Sequence, residues 1–220
     1  GVRRSKDTRT CKARFVVRPQ DTRICPHENE LVSPGYQSVE LERYNIKAEI
    51  SSSSRVGFHR YSFSNTNNAA VLFNLNGQLG PSMMYDGELT QLDEFTLQGK
   101  TINAPTMRRP KDCSVFFTAK LNVPIKSVVK DKETKNYRID VDLSHNKSVL
   151  MKVAISYTSV SNAAENLEAE IPGWDFDQIV RESKEEWNKI LSRIEIHGGT
   201  KAQQQRFYTD LWHADRKSVV

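Results

Sequence analysis

The feature that most constrains this chain is a period of two. From about Gln37 to Ser159, apolar and polar residues alternate along short runs broken by Asn, Gly, Pro and Asp, with no helical stretch between them. Residues two apart on a strand share a face, so Val39 and Leu41 belong together on one strand, and Tyr44, Ile46, Ala48 and Ile50 on the next. Glu42-Arg43 between them marks a tight reversal. Further strands are expected over 55–63, 70–75, 114–121, 137–143 and 149–158, with shorter segments near 87–92 and 94–99 after a turn over 77–81. About eight strands of mixed polarity, without interleaved helices, specify a mainly β fold, an antiparallel β-sandwich in which each sheet buries one face against the other.

The period changes at Ser161. Phe176, Ile179, Val180, Trp187, Ile190, Leu191 and Ile194 recur at steps of three, four or seven, which builds one apolar stripe on a helix. Asp175 with Gln178 three residues on is a cap signal for its start, and Arg181, Lys184, Glu185 and Lys189 occupy the opposite face. Gly198-Gly199 ends the unit. Thr200 and Gln203 repeat the cap for a second helix bearing Phe207, Tyr208, Leu211 and Trp212. The apolar faces of Phe207, Leu211 and Trp212 are expected to be exposed and to promote self-association.

Composition narrows the function classes. The 220 residues are 37% hydrophobic and 27% charged, typical of a globular chain, and no apolar run approaches the ~20 residues of a membrane-spanning helix. The opening Gly1-Val2-Arg3-Arg4-Ser5-Lys6 lacks the apolar core of a signal peptide. The net charge of +5 is local: residues 1–25 balance at +6 and the remainder at −1. A basic arm can touch phosphates, but no aromatic-interleaved basic face continues into the domain, so neither a nucleic-acid nor a membrane partner is expected. Cys11, Cys25 and Cys113 are odd in number and lack metal-ligand spacing; one disulfide remains open. Asn146-Lys147-Ser148 fits a glycosylation acceptor, a pattern short enough to arise by chance.

Four blocks in register carry a resemblance. They are His27-Glu28-Asn29-Glu30 with Ser33-Pro34-Gly35-Tyr36; Tyr44-Asn45-Ile46-Lys47-Ala48-Glu49-Ile50 running into Arg55-Val56-Gly57-Phe58-His59-Arg60-Tyr61; Lys152-Val153-Ala154-Ile155-Ser156-Tyr157 with Asn162-Ala163; and the stretch from Asn166 through Trp187-Asn188 to Phe207-Tyr208-Thr209. Across residues 26–213 the chain resembles the N-terminal domain of glycoside hydrolase family 92, the calcium-dependent exo-acting α-mannosidases. The resemblance implies a galactose mutarotase-like supersandwich, a helical linker and a C-terminal α/α barrel. It also implies inverting hydrolysis by a carboxylic acid and a carboxylate base, with Ca2+ helping to distort the mannose ring. The acid, base and calcium ligands are implied mainly for the barrel, while the sandwich lends loops to the sugar pocket.

Three features depart from the family pattern: the barrel after His213, the Gly-rich, His-containing segment expected before Ser33, and the two ends, 1–25 and 214–220. The organisation implied is therefore an atypical basic arm (1–25), a sandwich (26–160), a helical linker (161–199) and the start of a truncated barrel (200–220). The chain is expected to be the carbohydrate-binding or scaffold part of a hydrolase that trims α-linked mannose, inactive as this fragment. It is expected to hold no catalytic residue, metal site or cofactor of its own. Its implied partners are a mannose-containing glycan and the missing barrel, and its family is usually secreted or periplasmic. The alternative is a stand-alone carbohydrate-binding or structural sandwich module without hydrolase activity.

Candidate substrate-binding residues are His27, Glu28, Glu30, Arg55 and His59. His27-Glu28-Asn29-Glu30 gathers four polar types able to meet a cation or sugar hydroxyls, although a loop tied to the sandwich is the preferred reading. Arg55 and His59 are expected on one strand face with Gly57 between them, where a sugar or a second backbone can approach closely; a partly buried structural pair is preferred. Asp140 and Asp142 share a strand side, yet glycosidase carboxyls must flank a sugar from opposite sides, so a solvated face is preferred. Trp174, Trp187 and Trp212 can stack on sugars, but at helical spacing they are expected at the interface between sandwich and helices.

Overall fold

In a computed structural model that describes residues 13–15, 29–79 and 81–215, the alternating runs form two sheets. The larger has nine strands in the order β2 (Glu30–Ser33), β3 (Tyr36–Leu41), β4 (Ile46–Ser52), β5 (Val56–Phe63), β13 (Ser148–Ser156), β10 (Cys113–Leu121), β9 (Thr96–Asn103), β8 (Ser82–Gln91) and β7 (Gly77–Leu79). Every neighbouring pair in it is antiparallel. The smaller sheet runs β1 (Ala13–Phe15), β6 (Ala70–Phe73), β12 (Tyr137–Val141) and β11 (Ile125–Lys130), antiparallel except for the β1–β6 pair. The fold is the expected antiparallel sandwich.

Local chemistry explains the joints. Glu42–Tyr44 form a single 3-10 turn, and Asn45, at φ 48°, donates its N–H to the Glu42 carbonyl at 3.2 Å, turning β3 into β4. The segments expected near 87–92 and 94–99 are parts of longer strands, β8 and β9. A register shift between Tyr85 and Glu88, with Asp86 at φ 49°, breaks the alternation that would have revealed the length of β8.

The sandwich core joins Ile46, Tyr61, Phe63, Leu97, Ala119 and Met151 of the larger sheet to Val71, Phe73, Ile139 and Val141 of the smaller. Phe73 and Phe117 stack across the gap with ring centroids 5.8 Å apart. The larger sheet also buries its other face. Helices α1 (Val160–Glu170) and α2 (Phe176–Leu191) cover it, and Leu167, Ile171, Phe176 and Ile179 pack on Val56, Phe58 and Ala154. β5 thus sends Tyr61 and Phe63 inward and Val56 and Phe58 towards the helices. β13 is sandwiched in the same way, which is why Val149 to Ile155 is apolar at every position but Lys152.

The caps lie where the sequence signals them. The Asp175 carboxylate accepts the Gln178 N–H at 2.9 Å, and Thr200 and Gln203 cap reciprocally at 2.8 and 3.3 Å before α3 (Lys201–Asp215). α1 begins at Ser159, whose hydroxyl accepts the Asn162 N–H at 3.0 Å. α3 packs on α2 through the Trp187 and Trp212 rings, 6.3 Å apart and edge to face, and this leaves Phe207, Leu211 and Trp212 half-buried rather than exposed.

Gly99 marks where the sheet tolerates no side chain. A Cβ there would run into the Glu88 carbonyl oxygen and come within 2.6 Å of the Phe117 ring. Gly99→Ala is expected to destabilise the fold by about 2 kcal/mol through overpacking, measured by urea unfolding. A loss near zero would mean that β8 or Phe117 yields freely.

Candidate functional site

Two polar assemblies tie the helical layer to the larger sheet. In the first, Glu49 of β4 and Arg60 of β5 stand directly opposite each other in the register. The Glu49 carboxylate, with its side chain 5% exposed, accepts Arg60 Nε at 2.8 Å and Nη2 at 2.9 Å, and the Tyr36 hydroxyl at 2.7 Å. Arg60 then reaches α2, where Nη1 meets Asp177 at 3.1 Å and the guanidinium lies 4.3 Å from the centre of the Phe176 ring. The hydrogen bonds from Arg60, outweighing the opposing effect of burial and aided by Tyr36, hold the Glu49 carboxyl down at about 2. Gly35 seats α2 on the same side: it takes φ 78°, and a Cβ there would lie 2.5 Å from the Ser183 hydroxyl.

The second assembly centres on Lys152 of β13, which is 2% exposed. Its ammonium donates to the carbonyls of Ile171 at 2.8 Å, Pro172 at 3.3 Å and Gly173 at 3.4 Å, and lies 4.2 Å from the centre of the Trp174 ring. Burial lowers its pKa, opposed by the Glu168 carboxylate. Alongside, Glu170 at the end of α1 accepts the Ser53 hydroxyl at 2.5 Å and the Arg55 N–H at 2.9 Å, and forms an ion pair with the Arg55 guanidinium at 2.5 Å.

Beside this second assembly lies a surface cleft lined by Asp93, Glu94, Phe95, Lys120, Asn122 and Trp174. Lys120 is paired with Glu168 of α1. The combination of aromatic faces, carboxylates and an amide is the kind of surface to which sugars bind.

The described candidates, Glu30, Arg55 and His59, do not converge on one site. His27 and Glu28 lie outside the described residues, as do Cys11 and Cys25. Glu30 sits on the edge strand β2, where its carboxylate accepts from Gln37 of β3 at 2.7 Å. Arg55 and His59 do not share a face, contrary to expectation. Arg55 precedes β5 in the turn and pairs with Glu170 in the helical layer, whereas His59 is buried and shares a 3.0 Å hydrogen bond with the inward-facing Tyr61. Burial lowers the His59 pKa to about 4, so the ring is neutral near pH 7. Asp140 is matched to Arg138 and Ser127, and Asp142 to Lys126 at 3.1 Å, as befits a solvated face. Of the tryptophans, Trp174 lies where expected, edge to face with Phe58 at 6.1 Å, while Trp187 and Trp212 meet each other.

Reasoning from sequence missed Glu49–Arg60 and Lys152. The signals were present: two opposite charges at paired hairpin positions, and one lysine inside an apolar strand.

Calcium does not fit the donors present. Glu49, Glu170, Asp140 and Asp142 are each matched to a cation, and no group of three or more His, Cys, Asp or Glu among the described residues could hold a metal ion. Nor is any described helix long and apolar enough to cross a membrane.

A two-sheet sandwich that carries a helical layer on the outer face of its larger sheet is the class of domain these residues define. The profile described as "Glycosyl hydrolase family 92 N-terminal domain" matches residues 10–156, and the chain belongs to that family. The profile described as "Glycosyl hydrolase family 92 catalytic domain" matches residues 162–216.

Among solved structures, the chain is similar to the family GH92 alpha-mannosidase BT3965 from Bacteroides thetaiotaomicron, with 24% identity and a TM-score of 0.75 over 86% of this chain and 28% of that one. The same mannosidase in complex with mannoimidazole aligns with 24% identity and a TM-score of 0.74, over 86% and 27% of the two chains. The family GH92 inverting mannosidase BT2199 from Bacteroides thetaiotaomicron VPI-5482 aligns with 20% identity and a TM-score of 0.68, over 86% and 26%. At these identities the likeness is one of fold, and the chain spans little more than a quarter of the length of these proteins. Comparison with curated proteins gave no match.

The Glu49 contact sets a pH dependence. Glu49 ionises at about 2 in the fold against an ordinary 4.5, so the unfolded chain takes up the proton first as pH falls. The stability it contributes is complete above about pH 4.5 and is lost as pH falls towards about 2. Glu49→Gln is expected to cost about 3 kcal/mol near neutral pH by leaving Arg60 only the exposed Asp177 as an anionic partner, and to flatten that part of the acid limb. Urea unfolding of both proteins across this pH range checks it; parallel acid limbs would refute it.

Proposed function

We infer that this chain serves as the N-terminal carbohydrate-binding and scaffold part of an α-mannosidase-like glycoside hydrolase that trims α-linked mannose from glycans, and that it does not hydrolyse mannosides by itself. The observation that carries the reading is the family match, which spans the sandwich and is followed directly by a match to the catalytic domain over the helices. The docked helical layer supports the scaffold role, because Lys152, Glu170 and Arg60, buried or half-buried, tie α1 and α2 to the sheet. Residues 26–160 carry most of the sandwich, 161–199 the linker and 200–220 the opening of the helical domain; the basic stretch 1–25 is not wholly an arm, because its β1 (Ala13–Phe15) joins the smaller sheet and the family match begins at residue 10. The half-buried aromatic side of α3 is where further helices of that domain would pack.

The disposition of the described carboxyls supports the reading without hydrolysis. Inversion needs two of them about 6.5–9.5 Å apart on opposite sides of a sugar. The pair lining the Trp174 cleft, Asp93 and Glu94, are consecutive residues of one loop, and Asp93 is committed to the Phe95 N–H at 2.8 Å. Calcium, a family cofactor, would be held by residues of the helical domain. A mannose-containing glycan is the partner, and the setting is the secreted or periplasmic one usual for the family.

The test is hydrolysis of an aryl α-mannoside and of an α-linked mannobiose by the purified chain with added calcium. No release of mannose above buffer is expected, and calcium-dependent turnover would overturn the reading. Mannose binding without turnover is equally compatible with a stand-alone binding module.

A further inference from the structure

Phe95 and Trp174 lie neither inside the sandwich nor beneath the helices. They are 40% and 37% exposed, yet both line the same cleft. Three segments build that cleft: the loop between β8 and β9, the end of β10 with its following turn, and the connection between α1 and α2.

Each segment is pinned. The Asp93 carboxylate accepts the Phe95 N–H at 2.8 Å, and the Phe95 carbonyl accepts the Leu121 N–H at 2.9 Å. The backbone N–H of Asn122 donates to the Leu150 carbonyl at 3.0 Å, and its side-chain oxygen accepts the Leu150 N–H at 2.7 Å. Trp174 is held by the Lys152 ammonium and the edge of Phe58. The backbone that carries Phe95 and the ring of Trp174 are therefore held in place. Polar groups beside them keep spare capacity: among the described residues, the Asn122 side-chain amide hydrogens and the Glu94 carboxylate have no hydrogen-bonding partner.

We propose that this cleft binds a hexopyranose. A pyranose presents a C–H face that packs on aromatic rings and a rim of hydroxyls that needs donors and acceptors. Phe95 and Trp174 supply the first, while the Asn122 amide and the Glu94 carboxylate supply the second. A held Trp174 ring and a pinned backbone beneath Phe95 lower the entropy cost of binding, and spare hydrogen-bonding groups at the wall give orientation. An α-mannoside is the occupant, an assignment that rests on the function proposed above.

The experiment is a titration of the full chain with methyl α-D-mannopyranoside, followed by tryptophan fluorescence and by ligand-observed NMR, with the glucoside and galactoside as comparators. Saturable mannoside binding is expected, weakened about tenfold by Phe95→Ala and severalfold by Glu94→Gln. The Glu94 side chain is exposed and has no partner among the described residues, so Glu94→Gln leaves the fold intact, which unfolding curves verify. Mannoside binding that both variants retain in full overturns the cleft and leaves the proposed function standing. Binding of another hexopyranoside alone, lost in the variants, supports the cleft and overturns the mannose reading. No saturable binding of any of the three overturns the cleft.

Discussion

An ammonium group buried between a sheet and a helix end survives there only if its three protons find oxygen, and the Lys152 ammonium finds three carbonyls, those of Ile171, Pro172 and Gly173. Those carbonyls need it in turn. The last turn of α1 leaves backbone oxygens without helical partners and concentrates the negative end of the helix dipole. One lysine thus offsets two costs, its own desolvation and the unpaired helix end. Replacing either side alone would strand the other. Once the end of α1 is fixed, Glu170 falls beside Ser53 and Arg55. α2 then begins where Phe176 can pack on Phe58 and lie under Arg60.

This dependence explains what could be read in the sequence and what could not. β4 buries one face and records it as a period of two in Ile46, Ala48 and Ile50, whereas β13, buried on both faces, shows as a nearly continuous apolar run. α2 was equally legible, from its stripe and its Asp175 cap. α1 buries only Ala163 and Leu167 and holds its place through Glu170, Glu168 and its own C-terminal carbonyls, so it carries no apolar stripe to detect. Arg55 and His59 show where the rule stops. Parity assigns them one face, but parity holds only within a strand, and Arg55 lies one residue before β5 begins. Lys152 was visible as an interruption of an apolar run. Its partners are a fact of tertiary structure, and nothing in the run names them.

The same construction limits where a ligand can act. The larger sheet is covered on one face by the smaller sheet and on the other by α1 and α2, so its central strands have no free face. Many of the carboxylates chemically able to serve catalysis are already matched to cations for structural ends. What remains open is the rim, where strand ends, loops and the α1–α2 connection meet.

At that rim the structural role and the proposed recognition role share one ring. Trp174 packs against Phe58 and Lys152 on the protein side and still lines the cleft. Its exposed surface is set by the contact that closes the end of α1, so the cleft exists only while the helical layer is docked. A ligand bound there would favour the docked arrangement over any undocked one by mass action. By the same linkage, whatever further stabilises the seating of α1 and α2 would strengthen binding at the cleft. Built in this way, the proposed binding surface would couple recognition to scaffold integrity without any moving part.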